Sequence, residues 1–148
     1  MPTSVANCPF CDIVKRDAPD AREIYRNEDV VAFFPSEPAT LGHTLVVPRQ
    51  HIADIWSLDE DTASELARVT VRLADVMRQA LKPQGLNVIQ SNGEVATQTV
   101  FHLHVHIVPR WKDDTLGRIW PPDTNYSEDE KDAAWETLRT ACRDELGK

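Results

Sequence analysis

Apolar residues fall along this 148-residue chain in short blocks with two different periods. Val30-Val31-Ala32-Phe33-Phe34 and Thr44-Leu45-Val46-Val47 are β-branched or aromatic runs, closed by Pro35 and Pro48. Both predict strands, and the short proline-bearing segment between them predicts an antiparallel pair. Residues 23–26 add a short strand ahead of them. The period then changes. Leu66, Val69, Leu73, Val76, Met77, Ala80 and Leu81 recur at helical spacing. Asp59, Glu60 and Asp61 crowd the start, where a helix dipole favours anions, and Pro83 and Gly85 close it. Ser57-Leu58-Asp59-Glu60 has the form of a capping box, so a helix of about 23 residues with a core-facing stripe is expected.

Leu86-Asn87-Val88-Ile89-Gln90 predicts another strand, leading to a turn at Asn92-Gly93. An alternating block at residues 101–108 predicts the next. A second capping box, Ser127 to Glu130, opens a C-terminal helix with Ala134, Leu138, Ala141, Cys142 and Leu146 on one side. On that stripe Cys142 reads as a small core hydrophobe. Strands grouped without regular βαβ alternation indicate an α+β fold with an antiparallel sheet. With no repeat and no linker, the expectation is one domain over residues 1–148. Its core would span about residues 7–112, followed by a helical segment at about 113–148.

Charge narrows the function. A net charge of −8 argues against a nucleic-acid backbone as partner, because counterion release needs clustered Lys and Arg. A small phosphorylated ligand answers to a local site instead. No apolar run approaches the ~20 residues a bilayer span needs, and the first residues lack a basic-then-apolar leader, so a cytoplasmic protein is expected. Three cysteines in such a compartment suggest no disulfide framework.

The decisive block is His102-Leu103-His104-Val105-His106-Ile107-Val108. On a strand, alternate side chains share a face, which would line three imidazoles on one side with Leu103, Val105 and Ile107 on the other. Imidazole can be neutral or charged near pH 7, so such a row suits phosphoryl chemistry: one neutral ring attacks phosphorus while neighbours donate. The same spacing also suits metal chelation. Cys8-Pro9-Phe10-Cys11 spaces two thiols for one tetrahedral metal, for a redox pair, or for simple packing. A zinc site would need two more ligands, which the histidines can supply.

Together these blocks resemble the histidine-triad (HIT) superfamily of nucleotide hydrolases and transferases. The resemblance rests on residues 102–108, on Cys8-Pro9-Phe10-Cys11 with Ile13-Val14, and on Gly42-His43-Thr44-Leu45-Val46-Val47-Pro48-Arg49-Gln50-His51. Asn92-Gly93, Gln98-Thr99-Val100-Phe101, Pro109-Arg110 and Gly117-Arg118-Ile119-Trp120 continue it in order. It implies an antiparallel sheet with one long helix packed on it, assembled as a homodimer. It implies that His104 attacks the α-phosphate of a nucleotide to give a nucleotidyl-histidine. His106 would assist the leaving group, and His43 would orient the triad. Asn92, Gln98, Thr99 and His106 would contact the substrate, a purine nucleotide or nucleotide conjugate. In zinc-containing bacterial members the ligands would correspond to Cys8, Cys11, His51 and His102, a structural rather than a catalytic zinc.

Three positions depart from the family pattern. Pro35 stands where an acidic residue commonly holds the ribose hydroxyls, Thr97 where glycine is usual, and Ser91 where a second Asn is common. The nucleophile is untouched. The preferred activity is hydrolysis of a nucleoside phosphoramidate or adenylyl conjugate. A dinucleoside polyphosphate hydrolase and a zinc-stabilised nucleotide-binding module with little turnover are the alternatives.

Overall fold

A computed structural model describes residues 4–147. The chain divides into two compact units, Met1–Gly117 and Arg118–Lys148. The first is built on a five-stranded sheet of β1 (Arg22–Arg26), β2 (Val30–Phe34), β3 (Thr44–Pro48), β4 (Gly85–Gln90) and β5 (Val105–Arg110). Their order is β1-β2-β3-β5-β4, and every neighbouring pair is antiparallel. Two helices belong to this unit, α1 (Pro9–Lys15) and α2 (Glu60–Leu81).

The continuous apolar runs of β2 and β3 follow from burial on both sides, where a one-sided sheet would alternate with polar residues. Val30, Ala32, Val46 and Ile107 pack on one face with Leu66, Val69, Leu73 and Met77 of α2. Val31, Phe33, Leu45 and Val47 pack on the other with Cys8, Phe10 and Cys11. His106 pairs with Leu45 across β3 and β5, which puts it on the α1 side of the sheet.

Local details differ from the sequence expectation in four places. The cap of α2 is Asp59, whose carboxylate accepts from the Thr62 N–H; Ser57 instead ends a 3-10 turn, Ile55–Ser57, capped by Asp54. A carboxylate is the stronger partner for the N-terminal dipole. The seven residues of α1 carry no visible periodicity. Their helix is set by Pro9 in the first turn and by Cys8, whose sulfur accepts from the Cys11 N–H. The histidine strand begins only at Val105: residues 102–104 are tethered sideways, with Leu103 N–H donating to Ile52 C=O, rather than laddered. Cys142 is exposed rather than buried in a core.

The end of α2 and Pro109 of β5 crowd the turn before β3. Gly42 sits at φ +100°, and a Cβ there would lie 2.4 Å from Leu81 Cδ1 and 3.2 Å from Pro109 Cγ. At that φ any other side chain is strained, and a Cβ would also push Leu81 aside. The second unit carries α3 (Glu128–Leu146), opened by the expected capping box: Glu130 N–H donates to Ser127 Oγ, and Ser127 N–H donates to Glu130 Oε2. Among the described residues no helix is long and apolar enough to cross a membrane.

Candidate functional site

The sequence places two thiols and two imidazoles at four distant positions, and the fold brings them together. Cys8 and Cys11 lie at the start of α1, His51 just after β3, and His102 before β5. Their ligand atoms all lie within 4.8 Å of one another. His102 Nε2 donates to Pro48 C=O at 2.8 Å, so Nδ1 keeps its lone pair. That Nδ1 is 3.5 Å from both Cys8 Sγ and Cys11 Sγ, and His51 Nδ1 is 3.3 Å from Cys11 Sγ. Zinc–sulfur and zinc–nitrogen bonds of ordinary length make a tetrahedral S···N edge of about 3.5 Å, so the donor set fits a closed zinc site. Burial pushes the Cys11 thiol above its ordinary value, and a bound cation would supply the charge that keeps it deprotonated.

Next along the row, His104 is buried, and its Nδ1 donates to the His102 carbonyl at 2.8 Å. This leaves the Nε2 lone pair free. His43 accepts at Nδ1 from the Ala39 N–H at 2.9 Å, so its own proton is on Nε2. Nε2 then donates to His106 Nδ1, also at 2.9 Å. With Nδ1 accepting, neutral His106 carries its proton on Nε2. Burial is the first cause that lowers the pKa of His43, His104 and His106, with His106 brought to about 4. All three rings are therefore neutral at pH 7, one offering a lone pair and its neighbour an N–H. The His104 and His106 ring centroids are 4.9 Å apart.

These three rings and Thr99 line one cavity of about 680 Å³ on the α1 side of the sheet. Phe10, Phe33 and Phe34 wall it, while Asp20, Arg22 and Glu37 stand at exposed positions around it. Phe10 meets the His104 ring edge-on at 5.0 Å and Phe33 at 5.3 Å. The pattern Cys8-Pro9-Phe10-Cys11 pointed to metal and gave no hint that Phe10 would form this wall. An apolar trough closed by neutral imidazoles suits a molecule with a flat apolar part and a phosphate.

Not every expected substrate contact faces the cavity. The Gln98 side chain is 2% exposed and is spent on backbone: Oε1 accepts from Gly93 N–H, and Nε2 donates to the Ala53 and Val100 carbonyls. Asn92 Oδ1 accepts from Ile55 N–H and from Gln90 Nε2, and its amide donates back to Gln90. Both residues therefore hold the loop that presents Thr99 and do not line the trough. Thr97 in that loop sits at φ +72°, the left-handed region where glycine is at ease. Pro35 lines the cavity but offers no side-chain donor or acceptor.

Comparison with known proteins gives a consistent picture. The HIT domain family matches residues 16–113. Protein hit of Bacillus subtilis strain 168 is 40% identical over 115 residues, 77% of this chain and 79% of the relative. An adenosine 5'-monophosphoramidase of Schizosaccharomyces pombe is 34% identical over 116 residues, 78% of this chain and 84% of that protein. A HIT family protein from Bacillus anthracis superposes with a TM-score of 0.81 at 34% identity, covering 93% of this chain and 99% of the other. A zinc-bound histidine triad family protein from Mycobacterium smegmatis gives 0.71 at 38% identity, covering 91% and 97%.

Proposed function

The chain belongs to the HIT domain family, and we propose that it cleaves nucleoside monophosphate conjugates at the α-phosphate through a nucleotidyl intermediate on His104. The observation that carries this reading is the pair of tautomers: a free lone pair on His104 Nε2 and a proton on His106 Nε2, at one cavity wall. The Schizosaccharomyces pombe relative supports an AMP phosphoramidate or a similar conjugate as substrate. Thr99 and the N–H of His106 would hold the phosphate oxygens, and the phenylalanine-walled trough would take the base.

The steps follow from the tautomers. His104 Nε2 forms a bond to phosphorus as the bond to the leaving amine or oxygen breaks. The charge that develops on the His104 ring is shared with the His102 carbonyl through the Nδ1–H bond. His106 holds the leaving group through its Nε2–H, and the leaving group takes its proton from a water. The hydroxide so formed attacks phosphorus, breaks the P–N bond and releases the nucleoside monophosphate with His104 restored. One water is consumed per turnover. Cys8, Cys11, His51 and His102 would hold zinc, whose contribution is to tie α1 to the histidine segment. A reducing cytoplasm suits two such thiols. A homodimer belongs to the same reading, and exposed Val71, Val76 and Val88 are apolar surface that a second copy would cover.

The test is mass spectrometry of intact protein quenched within seconds of mixing with an AMP phosphoramidate, beside His104→Ala. The expected result is an adduct of AMP mass on the wild type, absent from the variant, with AMP released. Tight AMP binding with neither adduct nor release would overturn hydrolysis and leave a binding module.

A further inference from the structure

We propose that Thr115 is a positioning residue for His106, acting through Ala39 and His43. The proposal rests on the assignment of His106 to the leaving-group side, and the HIT domain match, residues 16–113, ends before this residue. The Thr115 hydroxyl donates to the Ala39 carbonyl. Ala39 in turn gives its N–H to His43 Nδ1, and His43 Nε2 donates to His106 Nδ1. Three hydrogen bonds thus connect an exposed loop to the ring that meets the substrate.

Both ends of the Ala39 residue are held, its carbonyl by Thr115 and its N–H by His43. Its methyl side chain offers no other handle, so these two bonds hold the peptide planes on either side of the Ala39 Cα, and with them the direction of the N–H that His43 accepts. The neighbouring turn is pinned separately, with Thr40 Oγ1 donating to Pro109 C=O at 2.7 Å.

The loop that carries Thr115 is itself anchored. Asp114 accepts from Arg110 Nε at 2.7 Å and Nη2 at 3.0 Å, and from the backbone N–H of Trp111, Leu116 and Gly117. Arg110 further donates to Asn87 Oδ1 and to Gly117 C=O. Thr115 therefore stands next to a fixed point at the end of β5, and its hydroxyl reaches Ala39 from a rigid base.

The experiment compares Thr115→Val, which keeps the shape and loses the hydroxyl, with Thr115→Ser, which keeps the hydroxyl. Long-range proton–nitrogen NMR of the histidine rings reads the tautomers directly and needs no substrate. The wild type should show His43 and His106 each protonated on Nε2. Thr115→Val should give mixed His43 tautomers, and Thr115→Ser should restore the wild-type pattern. Turnover of an AMP phosphoramidate should fall about fivefold in kcat for Thr115→Val, the worth of one hydrogen bond, with KM unchanged within about twofold. Wild-type tautomers in Thr115→Val, or a loss that serine does not rescue, overturns the proposal. A wild type that turns over no phosphoramidate while Thr115→Val still shifts the tautomers defeats the proposed activity and leaves the positioning role standing.

Discussion

Replacing Gln98 by methionine separates a residue that binds substrate from one that builds the loop. The side chain is nearly the same length, stays apolar in a site 2% exposed, and removes three hydrogen bonds. Gly93 loses the acceptor for its N–H, and the Ala53 and Val100 carbonyls lose their donor. Each bond to a part-buried backbone group is worth about 1 kcal/mol, so the loss is about 3 kcal/mol. For a chain of this size that lowers Tm by roughly 6–12 °C. Urea unfolding followed by tryptophan fluorescence gives the free energy, and calorimetry gives Tm. Substrate affinity, measured well below the new Tm, should change far less than stability. The reasoning fails if Gln98→Met melts within about 2 °C of the wild type while KM rises tenfold or more, because the amide would then be meeting the ligand.

Two further outcomes follow from the site. Zinc at about a thousand times its Kd adds about 4 kcal/mol to the folded state, so chelation should lower Tm by roughly 8–16 °C. Cys11→Ser should lose both the stoichiometric metal, measured by elemental analysis, and the response to chelator; a wild type indifferent to chelation contradicts the cluster. The pH profile of kcat/KM should hold its level down through pH 6. Burial first, then His104 and His43, bring His106 to about 4. Protonation needs a pH at or below the folded value, so the His106 acid limb should lie near 4; half-loss near 6.5 or above would contradict it.

Much of the framework could be read from the residues. β2 and β3 are legible because burial on both faces leaves runs with no polar interruption, and α2 because Leu66, Val69, Leu73 and Met77 fall on one buried stripe, although Val76 and Leu81 of the expected stripe are exposed. Short-range competition was not legible. Asp59 takes the cap from Ser57 because both lie within reach of the same helix end, and only the chain path decides. The histidine strand starts late because Leu103 and His102 bond to the chain leaving β3, contacts that join residues about fifty positions apart. The cysteine and histidine types announced metal chemistry, and the fold supplied their meeting. Gln98 and Asn92 are polar residues beside the triad in sequence, and nothing in their identity says they turn to the backbone. The Ala39 N–H could not have been found at all, since a main-chain donor leaves no mark on the residue type.

That last point has a consequence for how the site can change over time. The three bonds that set the protons on His102, His104 and His43 run to the Pro48 carbonyl, the His102 carbonyl and the Ala39 N–H. A side-chain partner can be deleted by one codon, whereas a main-chain partner survives almost any replacement that keeps the path of the chain. The tautomers are in this sense written first into the trace of the backbone, and Thr115 acts on them only through the Ala39 carbonyl. The cavity walls, including the unusual Pro35, are therefore free to drift toward new ligands without unsettling which nitrogen carries which proton.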